Sequence, residues 1–398
     1  MKMLVLNGHG IDMRVDNAKL HVREGRFSAS EEPREFVFSP QRIDIDSIVI
    51  YGRTGTMTLD GIRWLMKHGV PVTILNWDGT LLTSMLPPVR SATKTKFDQY
   101  HAFEDTGKRI TIAKKFIEAK IERQKMVLDY LHQRYPEVQN NISEESKGLK
   151  SAKTIREIMG AEGAVAHLYW DELGKIIPEK YEFETRNSKY KTRPLGAGDQ
   201  VNCMFNFGYS LLEAECLRNI NSVGLDSHVG FLHEMQTGKD SLAYDLQELF
   251  RFVVDLAIIH LIETDAMEKK DFIRTESYSL RLRPTGARKV SDEVNAWFNK
   301  TVEYQGKECM WSYVMLLKTR ELAQYLTGKK RTLDFKSPEF SMDRQDSDEM
   351  RNKILDLSYK DWKDMGFSKG TLHYLKQNAK SGKPFTMNSH VRERIQSW

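Results

Sequence analysis

Hydrophobic and polar positions change period twice along the chain, and those changes predict its parts. Up to residue 88 the apolar residues come in short β-branched runs, KMLVL, AKLHVRE, REFVF, DSIVIYG, VPVTIL and TLLTSML, separated by Gly, Asn, Asp and Pro. One helical stretch, Thr58 to His68, interrupts them, and Pro87-Pro88 closes the series. Residues 1–88 are therefore expected to form a small β-domain that packs or dimerises, since it has no cluster of carboxylates or histidines. After Pro88 the period becomes helical. Between Gly107 and Tyr135, Ala113, Ile117, Ile121, Leu128 and Leu131 mark one apolar face, with Gln124 the single break. Helical patterns recur from Thr154 (TIREIMGAEGAVAHLYWDELGKII), from Asn202 to Leu217, and through residues 270–327, which end in WSYVMLLKTRELAQYL. An all-helical domain over residues 89–335 follows.

The stretch Gly224 to Glu263 concentrates the candidate chemistry. From Ser241 the apolar residues Leu242, Leu246, Leu249, Val253 and Leu256 predict one buried helix face. Asp245 and Glu248 interrupt it three residues apart, on neighbouring positions of one face. Upstream, Gly224, Gly230 and Gly238 allow a tight loop that can bring His233 back over the same helix. Carboxylates crowded in a half-buried place raise each other's pKa unless a cation lies between them, and a divalent metal is the simplest such cation.

Composition excludes several classes. Among 398 residues no apolar run is long enough to span a bilayer, and MKMLVLNGHG lacks a signal peptide's apolar region, so a cytosolic protein with no membrane partner is expected. Cys203, Cys216 and Cys309 include no CxxC pair, which leaves neither a disulfide framework nor a thiolate zinc site. The loop around Arg193, Pro194, Gly196 and Gly198 follows no strand and has no GK[ST], so a nucleotide site is unsupported.

The net charge of +5 is mild but unevenly placed. Lys114, Lys115 and Lys120 stand on the 107–135 helix, where they read either as a solvated face or as a phosphate-tracking surface. Residues 340–398 form a separate module in which EMRNKILDL, YKDWKDM and SKGTLHYLKQNA are three short helices. The last two are joined at Gly366-Phe367, Ser368 is an N-cap candidate, and Lys369, Thr371, His373 and Lys376 could face a major groove. The pattern is that of a helix-turn-helix, although three-helix units also serve as structural caps.

Four ordered segments resemble those of the CRISPR-associated integrase family, CRISPR-associated protein one, and its transposon relatives, the casposases. GLDSHVGFLHE looks like that family's D-P-x-x-G-F-L-H motif and SLAYDLQELFR like its S-L-A-x-D-L-x-E-x-F-R. AEGAVAHLYW and RPLGAGDQVNCMFNFGYSLL match too, and the resemblance covers roughly residues 1–330. It implies an α+β protein: an N-terminal β-domain for dimerisation, a helical catalytic domain and, in casposases, a C-terminal helix-turn-helix. It also implies that Glu162, His233 and Glu248 bind the catalytic metal, with Asp245 a nearby acidic member of the site and Arg251 placed to meet a phosphate. Ser227 and Phe252 depart from the pattern where the family has proline, and neither is a ligand.

The implied ligand set, hard carboxylate oxygens with one imidazole, suits Mg2+ or Mn2+. The implied reaction is strand transfer of a DNA 3′-hydroxyl into target DNA, with double-stranded element ends and target as partners and a homodimer or higher oligomer assembled on them. The tail over residues 340–398 favours a casposase. The alternatives are a CRISPR adaptation integrase working with CRISPR-associated protein two and, from another class, a non-catalytic DNA-binding scaffold.

Overall fold

The computed structural model describes residues 2–27, 32–89, 93–186, 196–275, 279–336, 338 and 348–380, with 391, 394, 395 and 398. Arg193 and Pro194, named above, lie outside the described residues. The chain divides into two compact units, Met1–Pro338 and Glu339–Trp398.

The first unit starts with a six-stranded sheet. Its strands are β1 (Met3–Asp16), β2 (Lys19–Arg23), β3 (Glu35–Phe38), β4 (Ser47–Met57), β5 (Val72–Leu75) and β6 (Leu81–Met85), in the order β3-β2-β1-β4-β5-β6. The pairs β1–β4 and β4–β5 are parallel and the others antiparallel. β1 runs on through the Asn-Gly-His-Gly segment instead of turning there, with register shifts at Gly8/His9 and His9/Ile11. Helix α1 (Leu59–Lys67) starts at the Thr58 cap and sets Trp64 and Leu65 among Leu6, Met13, Leu20 and Ile48. Each strand foreseen from β-branched alternation forms.

The helices then follow: α2 (Thr93–Glu104), α3 (Thr106–Arg134), α4 (Ile142–Glu145), α5 (Lys147–Ser151), α6 (Ile155–Gly174), α7 (Gln200–Val223), α8 (Ser241–Gln247) and α9 (Arg251–Glu263). α7 and α9 are buried on nearly every side, as helices at the centre of a large core are. Cys203 and Cys216 are free thiols inside this core and Cys309 is half-buried. The sheet is tied to the helices by Asn295 Nδ2 donating to the Met3 carbonyl at 2.9 Å and by Arg288 pairing with buried Glu24 at 3.1 Å. Among the described residues no helix is long and apolar enough to cross a membrane.

Two expectations are corrected at this level. Residues 270–327 are not helical throughout: hairpins β7 (Phe272–Arg274) with β8 (Leu280–Leu282), and β9 (Thr301–Tyr304) with β10 (Lys307–Met310), flank α10 (Pro284–Phe298) and precede α11 (Trp311–Leu326). Strands this short carry too few residues for a period to register. The helix expected from Ser241 onward is also broken. The Glu248, Leu249 and Phe250 amides bond three residues back, to Asp245, Leu246 and Gln247, a tightened turn that ends α8 and restarts as α9.

The second unit holds α12 (Asp348–Asp356), α13 (Tyr359–Asp364) and α14 (Lys369–Lys380) around Ile354, Leu357, Trp362 and Leu375. Gly366 takes φ 85° at the joint between α13 and α14, where Trp362 Nε1 donates to the Ser368 carbonyl at 2.7 Å.

Candidate functional site

α7 ends at Gly224 in the left-handed conformation (φ 77°), and the chain turns into the loop that carries His233. Gln99 of α2 bonds the Asp226 and Val229 carbonyls at 2.9 and 2.7 Å, and Arg109 Nε donates to the Phe231 carbonyl at 3.1 Å. Asp245, fully buried on α8, gathers the loop from the other side. It accepts the backbone N–H groups of Phe231, Leu232 and His233 and the His233 Nδ1–H, the last at 2.8 Å. Gly230 permits this approach, because a Cβ there would lie 2.8 Å from the Ser241 carbonyl oxygen and 2.9 Å from Asp245 Oδ2. With Nδ1 held, Nε2 is the acceptor nitrogen of the imidazole, and a third of the side chain is open to solvent.

Glu248 sits in the turn between α8 and α9, and Glu162 on α6. Lys120 of α3 ion-pairs with Glu162 and lies 2.7 Å from Glu248 Oε2, while Arg251 Nε lies 3.2 Å from the same oxygen. Neither contact is a well-directed hydrogen bond, so buried Glu248 Oε2 is held mainly by the two charges. Burial alone would raise the Glu248 pKa, but the Arg251 and Lys120 charges outweigh it and pull the carboxyl down to about 2. Burial likewise works against the charged Lys120, yet the two carboxylates hold its pKa above the ordinary lysine value. At His233 burial is outweighed by the hydrogen bond and charge of Asp245 and by the charge of Glu248, so its pKa is raised.

A buried layer supports these groups. Arg251 stacks on the Tyr209 ring at 4.6 Å, and Tyr209 and Tyr169 donate to the two oxygens of Asp255 at 2.6 and 2.8 Å. Tyr169 lies two turns beyond Glu162 on α6, so Asp255 fastens α6, α7 and α9 together behind the site. Burial pushes Asp255 up to about 6 against those two hydrogen bonds and the neighbouring Arg251 and Arg186.

In front lies an open cleft of about 660 Å³ lined by Arg156, Met159, His233, Lys239, Tyr244 and Arg251. Gly160 and Gly163 have no neighbour within 4 Å of a built Cβ, which keeps the α6 side next to Glu162 clear.

Glu162, Glu248, His233, Asp245 and Arg251 thus come together. The chemistry of the donors suits a hard divalent cation, and Glu248 Oε2 has an open lone pair. Among the described residues, however, no three His, Cys, Asp or Glu side chains stand in a metal-holding arrangement. The Lys120 ammonium lies between the carboxylates instead.

Lys120 is the main correction to the sequence reading, which put it with Lys114 and Lys115 on either a solvated face or a phosphate-tracking surface. It is buried, whereas Lys114 bonds the Lys150 carbonyl and Lys115 pairs with Glu118, both half-exposed. A signal existed: Lys120 and Gln124 fall on the same stripe as Ala113, Ile117, Leu128 and Leu131. Arg156 and Lys239, exposed cations at the cleft, were missed because each stands next to an acid in the sequence, Glu157 and Asp240, and not in a basic run. Both departures from the family motif are locally satisfied. Ser227 Oγ donates to Asp240 at 2.5 Å, and Phe252 packs edge-on to Trp311 at 5.1 Å.

In the second unit Lys369, Thr371 and His373 are exposed on α14. Lys376 does not extend outward with them. Its ammonium turns back to the Leu355 carbonyl at 2.8 Å, capping the end of α12.

Comparison with known proteins fits this geometry. A casposase bound to integration product is 60% identical, superposes with a TM-score of 0.85, and is covered over 90% of this chain and 100% of its own. A CRISPR-associated endonuclease Cas1 from Archaeoglobus fulgidus is 29% identical over 347 residues, 82% of this chain and 97% of that protein. A Cas1 protein from Thermotoga maritima, 20% identical with a TM-score of 0.68, shares the fold over 85% of this chain. Residues 4–296 match the family described as CRISPR associated protein Cas1; the chain belongs to that family and is an enzyme that acts on DNA.

Proposed function

We propose that this protein is a metal-dependent DNA integrase of the casposase type, which joins the 3′-hydroxyl ends of an element's DNA to a target duplex. The observation that carries the reading is the meeting of Glu162, His233 and Glu248 beside a cleft rimmed by Arg156, Lys239 and Arg251. Glu162, His233 and Glu248 would hold Mg2+ or Mn2+. When bound, such an ion polarises a phosphodiester and activates an attacking hydroxyl.

The chain's own groups do the rest. Asp245 fixes the His233 tautomer and the path of its loop. Arg251, stacked on Tyr209, keeps a guanidinium at the ligands where a target phosphate would lie. Arg156 and Lys239 meet the approaching backbone. In the joining step the 3′-oxygen bonds to the target phosphorus and loses its proton, and the displaced 3′-oxygen of the target strand leaves and takes one up. One phosphodiester replaces another, so no nucleotide triphosphate is consumed.

In the same proposal residues 1–88 serve dimerisation, 89–335 catalysis, and 340–398 the reading of element ends through Lys369, Thr371 and His373. A second reading, a CRISPR adaptation integrase that needs CRISPR-associated protein two, draws on the names of the curated relatives. The 60% identity to a casposase favours the first.

Metal-dependent joining of labelled oligonucleotides to plasmid tests the assignment. Glu162→Ala, His233→Ala and Glu248→Ala are each expected to lower joining by roughly 10³-fold, the several kcal/mol that such an ion supplies, with duplex binding retained. Near-normal joining by any one removes that residue from the ligand set.

A further inference from the structure

We propose that Lys120 is a built-in stand-in for the divalent cation: its ammonium holds Glu162 and Glu248 while the site is metal-free and leaves when metal loads, so loading exchanges one cation for another. The inference rests on the reading of Glu162, His233 and Glu248 as ligands.

Three observations converge on it. Lys120 contacts both carboxylates and is only 9% exposed, so it is the cation the two acidic side chains share, whereas Arg251 reaches Glu248. Its hold on Glu248 is nevertheless incomplete. The ammonium stands 2.7 Å from Oε2, but the contact is too bent for a well-directed hydrogen bond. A pair built to be permanent would satisfy both partners, as a planar guanidinium does with a carboxylate; an ammonium on a four-carbon stem is a point charge that can swing away. Finally, the Lys120 side chain is not wholly enclosed, 11% of it remaining exposed. A divalent ion cannot share the space between the carboxylates with the ammonium, because two cations there repel each other at close range.

The test is Mn2+ binding to the full-length, DNA-free protein, followed by the electron paramagnetic resonance signal of free Mn2+. Lys120→Met keeps length and removes charge, and is expected to bind Mn2+ about tenfold more tightly than wild type. Glu248→Ala should abolish this binding in either background. If wild type and Lys120→Met bind a Glu248-dependent Mn2+ equally well, the exchange is wrong while the ligand set stands. If no Mn2+ binding depends on Glu248, the ligand reading itself falls, and the exchange with it.

Should Lys120→Met fail to fold, the wild-type protein still decides. Amine acylation read by mass spectrometry is expected to spare Lys120 in the metal-free protein and to label it several-fold more once saturating Mn2+ is added, with Lys114 unchanged as the internal reference. Unchanged or reduced labelling of Lys120 under Mn2+ overturns the proposal.

Discussion

The proposed metal site of the first unit and helix α14 of the second carry similar residue types and use them in opposite ways. Around Glu248 the charges are paired: Lys120 with Glu162 and Glu248, Arg251 with Glu248, and His233 with Asp245. On α14, Lys369, Thr371 and His373 are exposed, with the Lys369 ammonium over the Tyr359 ring and Thr371 bonded to Ser368. The lesson is that a basic residue in a sequence run is not by itself a phosphate contact, since the fold can commit its charge inside, as it does with Lys120. Helix α3 repeats the contrast within one element, since Lys120 is committed inside and Lys114 and Lys115 stay at the surface.

The contrast can be broken experimentally. The largest effect is expected from deleting residues 340–398. Joining should persist in the truncated protein, while its preference for element ends over shuffled ends falls by roughly 10³-fold, because base readout is lost and core phosphate contacts remain. A truncated protein that discriminates as well as the full chain would assign readout to the first unit. Lys369→Ala and His373→Ala are expected to give partial versions of that loss, whereas Lys376, occupied with the Leu355 carbonyl, should matter more for folding of the tail.

A smaller effect is expected at α3. Replacing Lys114 and Lys115 together should flatten the slope of log affinity against log salt by about 2, for any DNA sequence, if each meets one phosphate. An unchanged slope, measured by fluorescence anisotropy across a salt series, would return both to an ordinary solvated face.

Much of this architecture is legible in the sequence, and the exceptions have physical causes. The six strands and the helices α3 and α6 announce themselves by apolar residues at a fixed period, and α7 by its apolar run. Glu162, His233 and Glu248 are recognisable through motif resemblance, since nothing in local periodicity says that residues 86 positions apart will meet (248 − 162). The break at Glu248 is invisible because α8 and α9 are buried on nearly all sides, and the apolar spacing continues across the turn. The place of Lys120 is misread for a related reason: a lysine at a stripe position is taken as an exposed charge unless a buried acid is known to await it.

The claim at the centre of this account is that the assembled carboxylates and imidazole serve strand transfer by a DNA 3′-hydroxyl. The direct measurement compares two otherwise identical duplexes, one ending in a 3′-hydroxyl and the other in a 3′-deoxy terminus, incubated with the full chain, plasmid and Mn2+, with a chelator control. The account predicts joined product from the hydroxyl-ended duplex alone, and none with chelator. Nicking of plasmid with no joined product from either duplex, or joining that survives metal removal, would contradict it.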